Sequence, residues 1–219
     1  MAAGEAKPYG ELILVTNMIG IIDYGMGNIH SVQKALESLG AETLVTNNPK
    51  EIEKCDKILL PGVGAFDDAA LELEKQGLSA AIRQAIAAKK IFLGICLGMQ
   101  LLFESSEEGK RQGLGILKGK VRKFSVGSGL KVPHMGWNNL DIRQKDCPLF
   151  KDLRDNSCVY FCHSYYPEPL GAGVVAATTS YGIEFAAIAW QDNIYGVQFH
   201  PEKSQETGLK ILKNFITRC

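Results

Sequence analysis

Four apolar runs, each closed by a turn and each but the second followed by a stretch of helical texture, constrain this chain more than any other feature. Residues 19–22 form the first run, ending at Asp23 and the turn Gly25-Met26-Gly27-Asn28. Val32, Ala35, Leu36 and Leu39 then recur at helical spacing until Gly40. Residues 43–46 read as a second strand. Residues 57–60 read as a third, broken by Pro61-Gly62-Val63-Gly64, with a charged helical stretch over 67–89. The fourth run, 91–95, precedes a further helix expected over 98–105. Strands apolar on both faces and separated by helices imply an α/β fold with a mostly parallel central sheet flanked by helices.

Beyond residue 114 the texture changes. Short β-branched or aromatic runs at 120–124, 159–161, 173–178 and 183–189 are separated by Gly, Asn and Asp, which implies antiparallel strands added to the sheet. A last run over 194–199 ends at His200-Pro201. A closing helix then carries Leu209, Leu212, Phe215 and Ile216. Residues 18–219 thus read as one domain. Residues 1–17, with a single Lys and a four-residue apolar run, read as an N-terminal extension or the product of an upstream start, too weakly apolar for a signal peptide.

Composition narrows the partners. Lys plus Arg and Asp plus Glu both number 24, so no net field advertises nucleic acid or an anionic membrane. No apolar run approaches the ~20 residues of a membrane span. The six cysteines show no disulfide framework, which fits a reducing cytoplasm. Cys158 and Cys162 lack a second pair to complete a metal site, so none is expected, and alternation along one strand accounts for them.

A cysteine in an apolar segment is ordinarily a buried structural residue. Cys96 is set apart by its frame, Gly94-Ile95-Cys96-Leu97-Gly98, between a buried strand and a helix. This is the pattern of a nucleophile elbow: a sharp strand-to-helix turn projects the side chain above the sheet, and small neighbours let adjacent chains pass. A helix N-terminus favours thiolate, and the Leu97 N–H can face a developing oxyanion. Pro61-Gly62-Val63-Gly64, also after a buried strand, offers further backbone amides; alone it would be an ordinary turn.

A thiol nucleophile needs a base, and the base an orienting group. Of the four histidines, His200 follows a strand, is stiffened by Pro201 and has Glu202 two residues on. His30 opens a helix, His134 follows Pro133 in a loop, and His163 ends a strand as a pocket wall. Only His200 has an adjacent acid able to fix its tautomer and stabilise imidazolium.

Together these motifs resemble the class I glutamine amidotransferases, through Gly94-Ile-Cys-Leu-Gly-Met-Gln100 and His200-Pro-Glu202. The resemblance narrows to the glutaminase subunits of imidazole glycerol phosphate synthases. It is carried also by Asp23-Tyr-Gly-Met-Gly-Asn28, Pro61-Gly-Val-Gly-Ala-Phe66, His134-Met-Gly-Trp-Asn138, Tyr160-Phe-Cys-His-Ser-Tyr165 and Gly196-Val-Gln-Phe-His-Pro-Glu-Lys-Ser204. These segments run in order across residues 23–204, nearly the whole chain.

The resemblance implies a Cys96, His200, Glu202 triad that hydrolyses glutamine through a thioester, without a cofactor. It implies oxyanion amides from Gly64 and Leu97. Gln100, an acid within 104–108 taken as Glu108, Tyr160 and Ser164 would line the glutamine pocket. Asn28, Trp137 and Lys203 would face a (β/α)8-barrel cyclase in a heterodimer. Ammonia would pass into that barrel for imidazole glycerol phosphate and AICAR synthesis. Activity would be low until the cyclase and its ligand bind, with 61–64 as the segment that reorients. A degenerate partner subunit is argued against by the presence of Cys96, His200 and Glu202, and two further rivals compete with this reading. One is another Cys-His hydrolase, against which Gln100 and the His200-x-Glu202 pair argue. The other is a phosphate-cradling module at Gly25–Asn28, which lacks a full G-x-G-x-x-G.

Overall fold

The computed structural model describes residues 18–125 and 130–219, so the expected extension over 1–17 lies outside the described residues. In chain order the elements are β1 (Ile19–Ile22), α1 (Ile29–Ser38), β2 (Thr43–Thr46), α2 (Pro49–Ile52), β3 (Lys57–Gly62), α3 (Phe66–Lys75), α4 (Leu78–Ala87), β4 (Ile91–Cys96), α5 (Leu97–Gln100) and β5 (Ser105–Ser106). There follow β6 (Gly119–Lys123), β7 (His134–Asn139), β8 (Asp141–Ile142), β9 (Cys158–His163), β10 (Tyr165–Pro169), β11 (Val175–Ser180), β12 (Glu184–Gln191), β13 (Ile194–Val197) and α6 (Gln205–Thr217).

The main sheet has eight strands in the order β2-β1-β3-β4-β13-β12-β11-β8. From β2 to β13 every pairing is parallel; β12, β11 and β8 are added antiparallel. This is the α/β layer architecture expected from the apolar runs. Its strands alternate between two cores, as a period of two requires. Ile58, Leu60 and Phe92 pack with Leu73, Leu78 and Ile82 of α3 and α4. Leu59, Leu93 and Val197 pack with Val32 and Leu36 of α1 and with Ile211, Leu212 and Phe215 of α6. Helices on both faces leave no polar side to a central strand, hence the unbroken apolar runs.

Five expectations need correction. Not every later strand joins the main sheet: β10, β6 and β5 form a second sheet, and β7 with β9 a third. The third strand does not stop at Pro61 but continues through it, pairing Pro61 with Ile95 and Gly62 with Cys96. Proline is tolerated because the pairing with β1 has already ended at Leu59, so no ladder bond needs its missing N–H. The helical stretch over 67–89 is two helices, separated where Gly77 turns left-handed at φ 70°. The helix expected over 98–105 is the single turn α5, and residue 134 is no loop residue but the first of β7.

At the edge of the sheet away from the Cys96 turn, Lys57 is buried at the start of β3. Its Nζ donates to the carbonyls of Phe215 (2.7 Å), Ile216 (2.8 Å) and Cys219 (3.0 Å). A lysine thus closes the last turn of α6, where unpaired carbonyls gather partial negative charge.

Candidate active site

Three adjacent parallel strands, β3, β4 and β13, deliver the site. Cys96 ends β4 opposite Gly62 of β3, and His200 follows β13 on the other flank. Cys96 sits at φ 54°, ψ −109°, a left-handed conformation that a side-chain-bearing residue adopts only under constraint. Glycines supply the constraint. A Cβ on Gly98 would lie 1.9 Å from the Leu60 carbonyl oxygen, and one on Gly94 would lie 2.5 Å from the Gly98 oxygen. The elbow is therefore closed by backbone approaching backbone. Because α5 is one turn long, its dipole contributes less to the thiol than a full helix would.

The loop carrying His200 is pinned to β9. The His200 N–H donates to the Tyr160 carbonyl at 2.9 Å. Ser204 Oγ donates to the His200 carbonyl at 2.7 Å and accepts from the Tyr160 N–H at 2.9 Å. Nδ1 of His200 meets Glu202 Oε1 at 2.8 Å, and the imidazole lines the same cavity as the Cys96 thiol. The Glu202 side chain is 1% exposed, and its second oxygen, Oε2, has no partner among the described residues. Burial alone would lower the affinity of His200 for a proton. The neighbouring Cys96 sulfur and the hydrogen-bonded Glu202 carboxylate outweigh it and raise the ring's pKa.

Around this group lies a cavity of about 360 Å³. Gly64, Cys96, Leu97, Gln100, Glu108, Ser164, His200 and Lys203 line it, together with Val63, Pro133, Cys162, His163 and Tyr165. Gly64 adopts φ 99° at the lip. Of the acids within 104–108, Glu108 alone reaches the cavity and also accepts from the Phe66 N–H at 2.8 Å. Glu104 is held by Lys118 and Glu107 by Arg122.

Three sequence candidates lie elsewhere. Tyr160 is not among the lining residues; its ring packs edge-on to Trp137, with centroids 6.0 Å apart. Trp137 is 48% exposed on the outward face of β7, beside the still more exposed Met135. Asn28 precedes α1 without a side-chain capping bond and does not line the cavity. Among the described residues no group of three or more His, Cys, Asp or Glu side chains is placed to hold a metal ion.

Sequence reasoning passed over Gln198, which is wholly buried and donates from Nε2 to Cys96 Sγ at 3.7 Å. Its only local signal was its place two residues before His200 at a strand end.

The model of the class I glutamine amidotransferases matches residues 20–219. A protein of Gloeothece citriformis named imidazole glycerol phosphate synthase subunit HisH is 52% identical over 203 residues, covering 92% of this chain and 96% of that protein. A protein of the same name from Geobacter metallireducens is 53% identical, covering 90% and 96%. The chain belongs to the HisH family of class I glutamine amidotransferases. Solved structures at lower identity share the fold. PurLQS from Thermotoga maritima matches with a TM-score of 0.75 at 20% identity, covering 91% of this chain and 97% of that one. A structure described as a glutamine amidotransferase matches at 0.69 and 20%, covering 87% and 94%. In this HisH-family chain, residues 94–100 and 196–204 both belong to strand ends that meet in space.

Proposed function

We propose that Cys96, His200 and Glu202 form the triad of a glutaminase subunit of imidazole glycerol phosphate synthase. Cys96 Sγ attacks the side-chain amide carbon of glutamine, and the carbonyl oxygen becomes an oxyanion facing the amides of Gly64 and Leu97. The His200 imidazolium protonates the departing nitrogen, so ammonia leaves and a thioester remains. Neutral His200 then removes a proton from water. Hydroxide adds to the thioester, glutamate leaves, and the thiol is restored. Glu202 keeps the imidazole in one orientation and supports its charge; with Oε2 unpartnered among the described residues, His200 is its principal compensation.

The observation that carries this reading is the buried His200–Glu202 pair brought to one cavity of amino-acid size with Cys96, all three at adjacent strand ends. Gln100, Glu108 and Ser164 line that cavity and contact the α-amino and carboxyl groups of glutamine. Tyr160 acts at one remove, holding His200 through its carbonyl.

Ammonia goes to a (β/α)8-barrel cyclase in a heterodimer, which uses it in histidine biosynthesis to make imidazole glycerol phosphate and AICAR. Enclosed transfer suits ammonia, since free ammonia is protonated near neutral pH. Trp137 and Lys203 are exposed, and with Asn28 they contact the cyclase. Residues 18–219 are the catalytic domain, at work in the cytoplasm, in keeping with six unpaired cysteines. No described helix is long and apolar enough to cross a membrane.

Glutamate release is measured with and without the cyclase and its ligand, for wild type and Cys96→Ser. The expected result is release that rises with cyclase and ligand and is abolished in Cys96→Ser. A serine variant as active as wild type overturns the triad. An isolated chain as fast as the complex removes the switch at residues 61–64.

A further inference from the structure

A run of buried amides leads from a backbone carbonyl to the reactive sulfur. The Tyr165 carbonyl can only accept, so the Gln100 side-chain atom 3.0 Å from it is the amide nitrogen. The same nitrogen lies 3.0 Å from the side chain of Gln198, whose facing atom is therefore the oxygen. Gln198 then turns its own NH2 group toward Cys96 Sγ, at 3.7 Å. The backbone of Gln198 is held as well, its N–H donating to the Ala187 carbonyl at 2.9 Å. The amide has no freedom to flip, because flipping would set two donors against each other at Gln100.

Among the described residues, Cys96 Sγ is the one acceptor recorded for Gln198 Nε2. A thiol sulfur is a weak acceptor and a thiolate a strong one. A wholly buried N–H donor left with only a thiol is poorly satisfied, which is costly in a low-dielectric interior. We propose that Gln198 is a positioning residue for the glutaminase reaction: oriented by Gln100 and the Tyr165 carbonyl, it holds the Cys96 sulfur in place and favours its anionic form. The inference rests on the reading of Cys96 as nucleophile. It assigns Gln100 a second task, since both hydrogens of its amide are engaged and the oxygen is what it offers to other groups.

The test uses Gln198→Met, which keeps length without a donor, and Gln198→Glu, which still accepts from Gln100 but turns an oxygen toward sulfur. Glutaminase kinetics are measured in the complex with the cyclase. The pH midpoint for alkylation of Cys96 by iodoacetamide is measured alongside. A hydrogen bond to a charged group is worth ~1.5–3 kcal/mol, so Gln198→Met lowers kcat about tenfold or more and moves the alkylation midpoint up by about one to two pH units. KM responds less than kcat, because Gln198 reaches the cavity only through Gln100, which keeps its bond to the Tyr165 carbonyl. Gln198→Glu moves the midpoint further. A merely structural glutamine would lower the melting temperature and leave the midpoint in place, and that result overturns the inference.

If either variant fails to fold, wild type decides: the side-chain amide resonances of Gln198 shift with the ionisation of Cys96, and amide signals blind to that ionisation overturn the inference equally. Cys96→Ser separates the two readings. Activity retained there sinks the nucleophile itself. Activity lost there, with folded Gln198 variants unchanged in kcat and midpoint, sinks only the role of Gln198.

Discussion

His134 Nδ1 donates to His163 Nε2 across 3.1 Å, in a nest of aromatic rings, because the two residues face each other directly across β7 and β9. The protons follow from a carbonyl. His163 Nδ1 lies 2.7 Å from the Tyr165 oxygen and must donate; burial keeps the ring neutral, so its Nε2 accepts and His134 Nδ1 carries hydrogen. Burial likewise keeps the His134 ring neutral. His134 is stacked between Phe161 and Tyr181, with centroids 4.9 Å and 4.0 Å away.

Burial, chiefly, pushes His134 down to about 4 and His163 down to about 3, from 6.5. The sign is that of acid destabilisation. Above pH ~6.5 neither state binds these protons; below it the unfolded chain binds them and the native chain does not, so stability falls as pH falls. His200 has the opposite sign: its raised pKa gives stability that is fully present below 6.5 and lost toward alkaline pH. We expect urea denaturation to show a loss of roughly 3–6 kcal/mol between pH 6.5 and 4. His163→Gln, which can still donate to the Tyr165 carbonyl and accept from His134, flattens that limb by about one proton. A slope unaltered by the substitution would exclude His163 as its source.

Glu202→Gln preserves shape and removes the charge behind His200. The imidazolium loses support and its pKa falls. By analogy with triads in which the orienting carboxylate is neutralised, kcat drops about a hundredfold or more, with KM little changed. Steady-state kinetics in the presence of cyclase measure it. A loss confined to KM would place Glu202 in substrate binding instead.

Much of this site was legible because its parts are local. An apolar run, then Gly-x-Cys-x-Gly, places a thiol at a strand end whatever the rest of the chain does. His200 and Glu202 are two residues apart, so one turn aligns them. The parallel sheet was legible because burial on both faces leaves unbroken apolar runs. What escaped depends on distant partners. Strand β7 is Gly, Trp and Asn-rich and owes its form to β9, so His134 looked like a loop residue. Gln198 reads as a core strand position until Gln100, 98 residues away, fixes its amide. Tyr160 sits in a motif with Ser164, yet strand geometry turns its ring to Trp137 rather than to the cavity.

Two glycines near the nucleophile should fail in different ways. Gly94→Ala drives a Cβ into backbone atoms of Gly98 and Met99 at 2.5–2.8 Å, which rigid backbone cannot relieve. Overpacking of this kind costs ~1–3 kcal/mol or more, so a lower melting temperature accompanies lost activity. Gly64→Ala meets only the terminal methyl of Met26, at 2.9 Å, but demands φ 99° of a residue with a Cβ. Its stability cost is about 1 kcal/mol, while kcat falls at least tenfold as the amide proposed to face the oxyanion moves. Calorimetry and kinetics on both variants check this. Equal thermal losses with equal residual activity would contradict it.

Lys57 provides the control at the opposite edge of the sheet. Its ammonium is buried and bonded to three carbonyls at the end of α6, with the Phe215 ring 5.5 Å beneath it. Burial lowers its pKa, and the nearby Cys219 and Asp56 raise it in part. Lys57→Met fills similar volume but leaves those carbonyls without their donor, at a cost of roughly 2–3 kcal/mol. Because Lys57 opens β3 and the site lies beyond the far end of that strand, kcat and KM of the folded variant stay within about twofold of wild type. Amide hydrogen exchange should quicken first in the last turn of α6, where the lost donor was, before it quickens in β3 or β4. Exchange that rises uniformly would mean that Lys57 supports the whole sheet, and a large fall in kcat would mean that the two edges of the sheet are coupled.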